Sequence, residues 1–134
     1  MFRLIKIQNS GANVPEPKKV AKGNLEIVNG EVLVLTSGKA SVPSATTLPT
    51  HIALSGAKVA DTSATLAEIF PEMVFECPVL EGTPASLVVG TKVCLAMNDG
   101  KAVGVNTTTN SGVATVYDTL GASEIGDKIL ITFR

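Results

Sequence analysis

Apolar residues recur in short runs along most of the chain, and Gly, Asn, Asp or Pro closes nearly every run. An alternation of period two marks a half-buried strand, and runs of this length between turn residues mark strands generally. Residues 2 to 7 alternate loosely through Phe2, Leu4, Ile5 and Ile7 and predict a short first strand. Leu25-Glu26-Ile27-Val28 and Glu31-Val32-Leu33-Val34-Leu35 flank Asn29-Gly30, the dipeptide favoured in tight turns, so a hairpin is expected there. Thr36-Ser37-Gly38-Lys39 is a further turn, and His51-Ile52-Ala53-Leu54 a short strand. Met73 to Leu80 reads as a strand whose Pro78 points to an edge or a bulge. Lys92 to Met97 and Lys101 to Val105 flank Asn98-Asp99-Gly100, a second hairpin signal. Residues 113 to 118 alternate, and residues 128 to 133 form a last strand.

Two stretches break the pattern. From Gln8 to Asn24 large apolar side chains nearly vanish, Pro15 and Pro17 remove ladder donors, and Lys18, Lys19 and Lys22 suit solvent. Such a stretch reads as an extended arm or as a surface loop packed on its own domain. Residues 61 to 70 read as a strand or irregular edge. A single helical turn is the alternative, with Asp61 as cap and Leu66, Ile69 and Phe70 on one face. Pro71 and the weak helix formers Thr62, Thr65 and Ile69 oppose that helix.

The expected fold is therefore all-β: a single small barrel or sandwich of short antiparallel strands, with an extended N-terminal arm and at most one short helix, in residues 61 to 70. Residues 1–24 form the first strand and arm, and residues 25–134 the body. Three strands begin alike, at Gly30-Glu31-Val32, Gly90-Thr91-Lys92 and Gly126-Asp127-Lys128. In each, Gly can take a turn conformation closed to other residues before a β-rich run starts.

Composition narrows the function. A length of 134 residues suits one domain with a real core. Lys and Arg number 11 against 12 Asp and Glu, a formal charge of −1, which lacks the basic excess of nucleic-acid or membrane-surface binders. No apolar run approaches the length of a membrane span and no secretory signal is visible, so a soluble protein made in a cytoplasm is expected. One Tyr and no Trp leave little to stack a sugar upon. Cys77 and Cys94 each fall in a strand-like run, where a small buried thiol is the ordinary state. His51 is the single histidine, which excludes a multi-histidine metal centre. No Gly-x-Ser-x-Gly elbow, phosphate loop or Asp-x-Asp-x-Asp calcium loop occurs. No enzyme chemistry, cofactor or metal is expected.

Residues 30–35 with the Thr/Ala/Pro-rich link to His51-Ile52-Ala53-Leu54, then Pro71-Glu72-Met73-Val74-Phe75-Glu76, Val89-Gly90-Thr91-Lys92-Val93 and residues 121–131, carry a resemblance. In these the chain resembles the head decoration (capsid cement) proteins of tailed bacteriophages. The resemblance implies a small β-rich virion protein, made in the host cytoplasm, that docks on the outside of an expanded head. Its partner would be the phage major capsid protein, with a homotrimer on the shell, and no nucleic acid or membrane involved. The alternative is a ligand- or glycan-binding β-module of a phage tail or head surface. The family carries no binding motif residue by residue. The arm itself supplies the candidate capsid contacts: Val14, Pro15, Pro17, Lys18, Lys19 and Val20. Many modest contacts on a repeating lattice add as multivalent binding. On this reading, deleting residues 8 to 24 leaves the body folded and weakens shell binding.

Overall fold

The computed structural model describes residues 1–8, 15–108 and 112–134. The described strands are, in order, β1 Arg3–Ile7, β2 Lys18–Ala21, β3 Val32–Thr36, β4 Lys39–Ser41, β5 His51–Ala53 and β6 Ser63–Glu68. They continue with β7 Met73–Glu81, β8 Lys92–Asn98, β9 Lys101–Asn106, β10 Ala114–Asp118 and β11 Lys128–Thr132. The fold is all-β. The one helical element among the described residues is a 3-10 turn at Pro84–Ser86. Residues 61 to 70, expected as a strand or irregular edge with a single helical turn as the alternative, hold the strand β6, as the β-branched content and Pro71 favoured.

One sheet runs β1-β7-β11-β10-β8-β9, and a further pairing of β7 with β9 closes its last five strands into a barrel. The closing pair is parallel, Val79 opposite Val105, whereas the expectation was of antiparallel strands alone. Closure depends on Gly104, where a Cβ would lie 2.6 Å from Leu80 Cγ and 2.7 Å from the Pro78 carbonyl oxygen. Pro78 is on a central strand and not at an edge. On one side β7 pairs with β1 from Met73 to Glu76, and with β9 from Val79 onward. Pro78 falls in the gap between the two ladders, where a missing N–H breaks nothing.

The second sheet has the order β2-β6-β5-β3-β4, and a parallel bridge from Lys22 to Ala40 draws its two ends together. Its inner strands β3, β5 and β6 are apolar on both faces. Val32, Ile52 and Ala67 join the barrel-side core with Phe75, Ile129 and Ile131. Their neighbours Leu33, Ala53 and Leu66 point the other way, into a smaller core with Ile27 and Ala64. Doubly buried strands explain runs such as Val32-Leu33, which are continuous rather than alternating.

The N-terminal stretch is more built in than an arm. Phe2 is 1% exposed, and its ring centroid lies 5.3 Å from that of Phe133. Lys18 to Ala21 is a strand paired with β6, so the extended arm does not include these residues. Val20 packs against the smaller core. Lys22 is buried, and its ammonium donates to the carbonyls of Gly23 at 3.1 Å and Leu25 at 2.7 Å. Deletion of residues 8 to 24 would therefore remove an edge strand and a buried cap, so the expectation that the body stays intact is corrected.

The three similar strand starts are one device. Gly30, Gly90 and Gly126 have φ of 81°, 91° and 96°. Each sits third in a turn closed by Glu31 N–H to Val28, Thr91 N–H to Val88, or Asp127 N–H to Glu124. In each, the glycine N–H donates to a residue on a facing segment (Ala53, Val116 or Val79), whose own N–H donates to the residue after the glycine. Two residues thus oppose one, which is a bulge with left-handed Gly first, a feature that pins strand register. At Gly30 this overrides the expected hairpin. The chain does turn at Asn29-Gly30, but Ile27 bridges to Ala57 and β3 pairs with β4 and β5. The second hairpin signal holds: Asn98 pairs with Lys101, and Asp99 and Gly100 have φ of 54° and 74°.

Candidate functional site

The sequence candidates divide by position. Val14 lies outside the described residues. Pro15 is half-buried and Pro17 exposed, and both line a cavity of about 360 Å³. Lys18 and Lys19 are exposed on β2, an end strand of the second sheet. Lysines on such a strand discourage unwanted edge pairing. Val20 is half-buried and turned toward the smaller core, which makes it a packing residue. Pro15, Pro17, Lys18 and Lys19 therefore lie along one stretch leading into an edge strand.

The cavity is formed where the two sheets meet. Met1, Phe2, Arg3 and Leu4 line it from the β1 side. The ends of β5 and β6 contribute Ile52, Ala53, Ala67 and Glu68, and β7 contributes Met73 and Phe75. The lining is largely apolar, as small-molecule and side-chain pockets commonly are. Its charged side chains are those of Arg3 and Glu68. Arg3 is bonded to Glu76 at 3.0 Å, and Lys128 lies 3.6 Å from the same carboxylate. The cavity draws on stretches far apart in the chain, and no sequence pattern marked it.

His51 pairs across the ladder with Glu68 and shares a hydrogen bond with Thr50 through Nδ1 at 2.9 Å. Partial burial lowers its pKa, which the Glu68 carboxylate opposes. Cys77 and Cys94 are buried thiols, and burial pushes the Cys77 thiol far up, away from the reactive thiolate. Among the described residues, no group of three or more His, Cys, Asp or Glu is placed to hold a metal ion. No described helix is long and apolar enough to cross a membrane. The described residues offer an apolar cavity, an exposed Pro-Lys stretch and the end strands β1, β2 and β4.

No protein-family model and no curated protein matches the chain.

Proposed function

We propose that the chain is a non-enzymatic virion structural protein that binds the outer surface of a phage capsid and stabilises it, as a homotrimer on the shell. The observation that carries this reading is the exposed stretch from Pro17 to Lys19, anchored on β2 at the margin of a doubly cored β body. A cement protein needs such a rigid body and a surface that meets a neighbour, and it gains avidity from lattice repetition. The resemblance of residues 30–35, 89–93 and 121–131 to head decoration proteins supports the same reading.

The test is co-sedimentation of the purified protein with expanded phage heads lacking their own decoration protein. Saturable binding is expected, weakened by Lys18→Glu with Lys19→Glu and by added salt. Exposed ion pairs contribute only about 0–1 kcal/mol each and are screened over roughly 8 Å at physiological ionic strength. Failure to bind any head, with binding to a glycan array, would favour the ligand-binding module instead.

A further inference from the structure

Asn29 is the one asparagine in the chain that is followed by glycine. Such a pair is prone to deamidate, because glycine has no side chain to shield its amide nitrogen. In that reaction the Gly30 nitrogen attacks Asn29 Cγ, and the new N–Cγ bond closes a succinimide ring. The Cγ–Nδ2 bond breaks, and ammonia leaves with the proton of the Gly30 amide. Water then opens the ring at either carbonyl, which gives aspartate or isoaspartate. Asn29 is exposed, so solvent reaches its side chain.

The backbone is set against that attack. Glu31 N–H to Val28 closes the turn, Gly30 sits third with φ of 81°, and Asn29 has no positive φ, which makes a type II turn. This geometry holds the Gly30 nitrogen turned away from the Asn29 side chain, so ring closure requires the Asn29–Gly30 peptide plane to turn over. Two bonds resist. Gly30 N–H donates to the Ala53 carbonyl at 2.9 Å, and the Gly30 carbonyl accepts from Phe2 N–H at 2.8 Å. Residues 1 and 2 also press on the glycine, where a Cβ would lie 2.7 Å from Met1 Cβ and 2.9 Å from the Phe2 carbonyl oxygen. Phe2 is itself anchored by its buried ring against Phe133. The Asp99-Gly100 turn is the contrast, since nothing lies within 4 Å of the Cβ position of Gly100.

We propose that Asn29 is a latent deamidation site, held unreactive by the clamp of Phe2 and Ala53 on Gly30 and opened when the N-terminal segment lifts away. Reaction leaves a new carboxylate in the turn or, as isoaspartate, one extra backbone methylene. Gly30 and Glu31 together oppose Ala53 in the bulge, and added backbone length beside it breaks that register. Isoaspartate at this position therefore turns a reversible release of the segment into a permanent one.

The test is incubation of the full-length protein at neutral pH and body temperature, with deamidation at Asn29 followed by peptide mass spectrometry. The folded wild type should react at least tenfold more slowly than the same chain held unfolded in urea, a comparison that needs no variant. Phe2→Ala loosens the clamp, and Gly104→Ala strains the barrel at Leu80 instead. With urea set so that the two variants have equal unfolded fractions, Phe2→Ala should still react at least tenfold faster than Gly104→Ala. Phe2→Leu takes its place if Phe2→Ala does not fold. Once isoaspartate has formed, slow amide exchange at Gly30 and Ala53 should not return in buffer. Equal rates in folded and unfolded wild type would overturn the proposal. Equal rates in the matched variants would do the same, by making unfolding of the whole chain the gate. Regained protection at Gly30 and Ala53 would overturn the permanence of the release.

Discussion

Val28 donates its backbone N–H to Glu31 Oε1 at 2.8 Å across the turn that carries Gly30, while the other carboxylate oxygen of Glu31 is buried with no hydrogen-bond partner. Burial raises the Glu31 pKa above its ordinary 4.5, and the Val28 bond only partly offsets this. The folded state therefore holds the proton more tightly than the unfolded chain does. The stability this confers is full below about pH 4.5 and is lost as pH rises through the folded value. Glu31→Gln keeps an acceptor for Val28 and removes the buried charge. Urea denaturation should show the variant more stable at neutral pH, by on the order of 1 kcal/mol, because the amide removes a buried charge while still leaving one polar group unpaired. The difference should shrink toward pH 4.

Barrel closure at Gly104 gives a second expectation. Any Cβ there meets Leu80 and the Pro78 carbonyl at less than 3 Å, and the carbonyl cannot swing aside as a side-chain tip can. Gly104→Ala should destabilise the fold by about 1–3 kcal/mol, the usual range for overpacking. Gly90→Ala is the contrast, since nothing lies within 4 Å of its Cβ and only its φ of 91° resists substitution. Thermal melts of the two variants should separate a steric cost from a purely conformational one.

Phe2 bears on the N-terminal stretch. Its ring is buried against Phe133, which in turn packs on Phe75 at a centroid distance of 5.3 Å. Phe2→Ala should cost about 3–5 kcal/mol, as large aromatic truncations in cores do. A loss below 1 kcal/mol in chemical denaturation would mean that this segment is only loosely attached.

Leu120 sits exposed at the tip of the β10–β11 connection with φ of 50°, followed by Gly121 at 72°. Ala122 donates its N–H to Thr119 to close this turn. Positive φ at both central positions is the geometry that favours Asn-Gly, and a leucine there is strained. Leu120→Asn should stabilise the protein by about 1 kcal/mol, read as a raised midpoint in urea at unchanged slope.

Much of the β framework could be read from local chemistry. Asp99-Gly100 lies between strands that have no closer partner, so turn preference and pairing agree, and the hairpin forms. Asn29-Gly30 has the same turn chemistry, but Ile27 finds Ala57 and Val32 finds Ile52, both distant in sequence. Local preference fixes the bend there and leaves the partner open. Strand β2 escaped notice because Lys18-Lys19-Val20-Ala21 carries one large apolar residue, all that a margin strand with a single buried face requires. The cavity was less visible still. Its lining includes core residues themselves, Phe2, Ile52, Ala67, Met73 and Phe75, and neither periodicity nor composition separates a residue that fills space from one that borders it.

The second sheet sends Val32, Ile52 and Ala67 into one apolar cluster and Leu33, Ala53 and Leu66 into the other. Neither cluster can come apart while the other stays dry, because the same short strands wall both. Two hydrophobic centres in one chain would ordinarily suggest two calorimetric peaks, with a half-melted species between them. Here the shared wall couples their melting, and heating should give one cooperative transition whose calorimetric and van't Hoff enthalpies agree. A partly melted form exposing sticky surface is then scarcely populated.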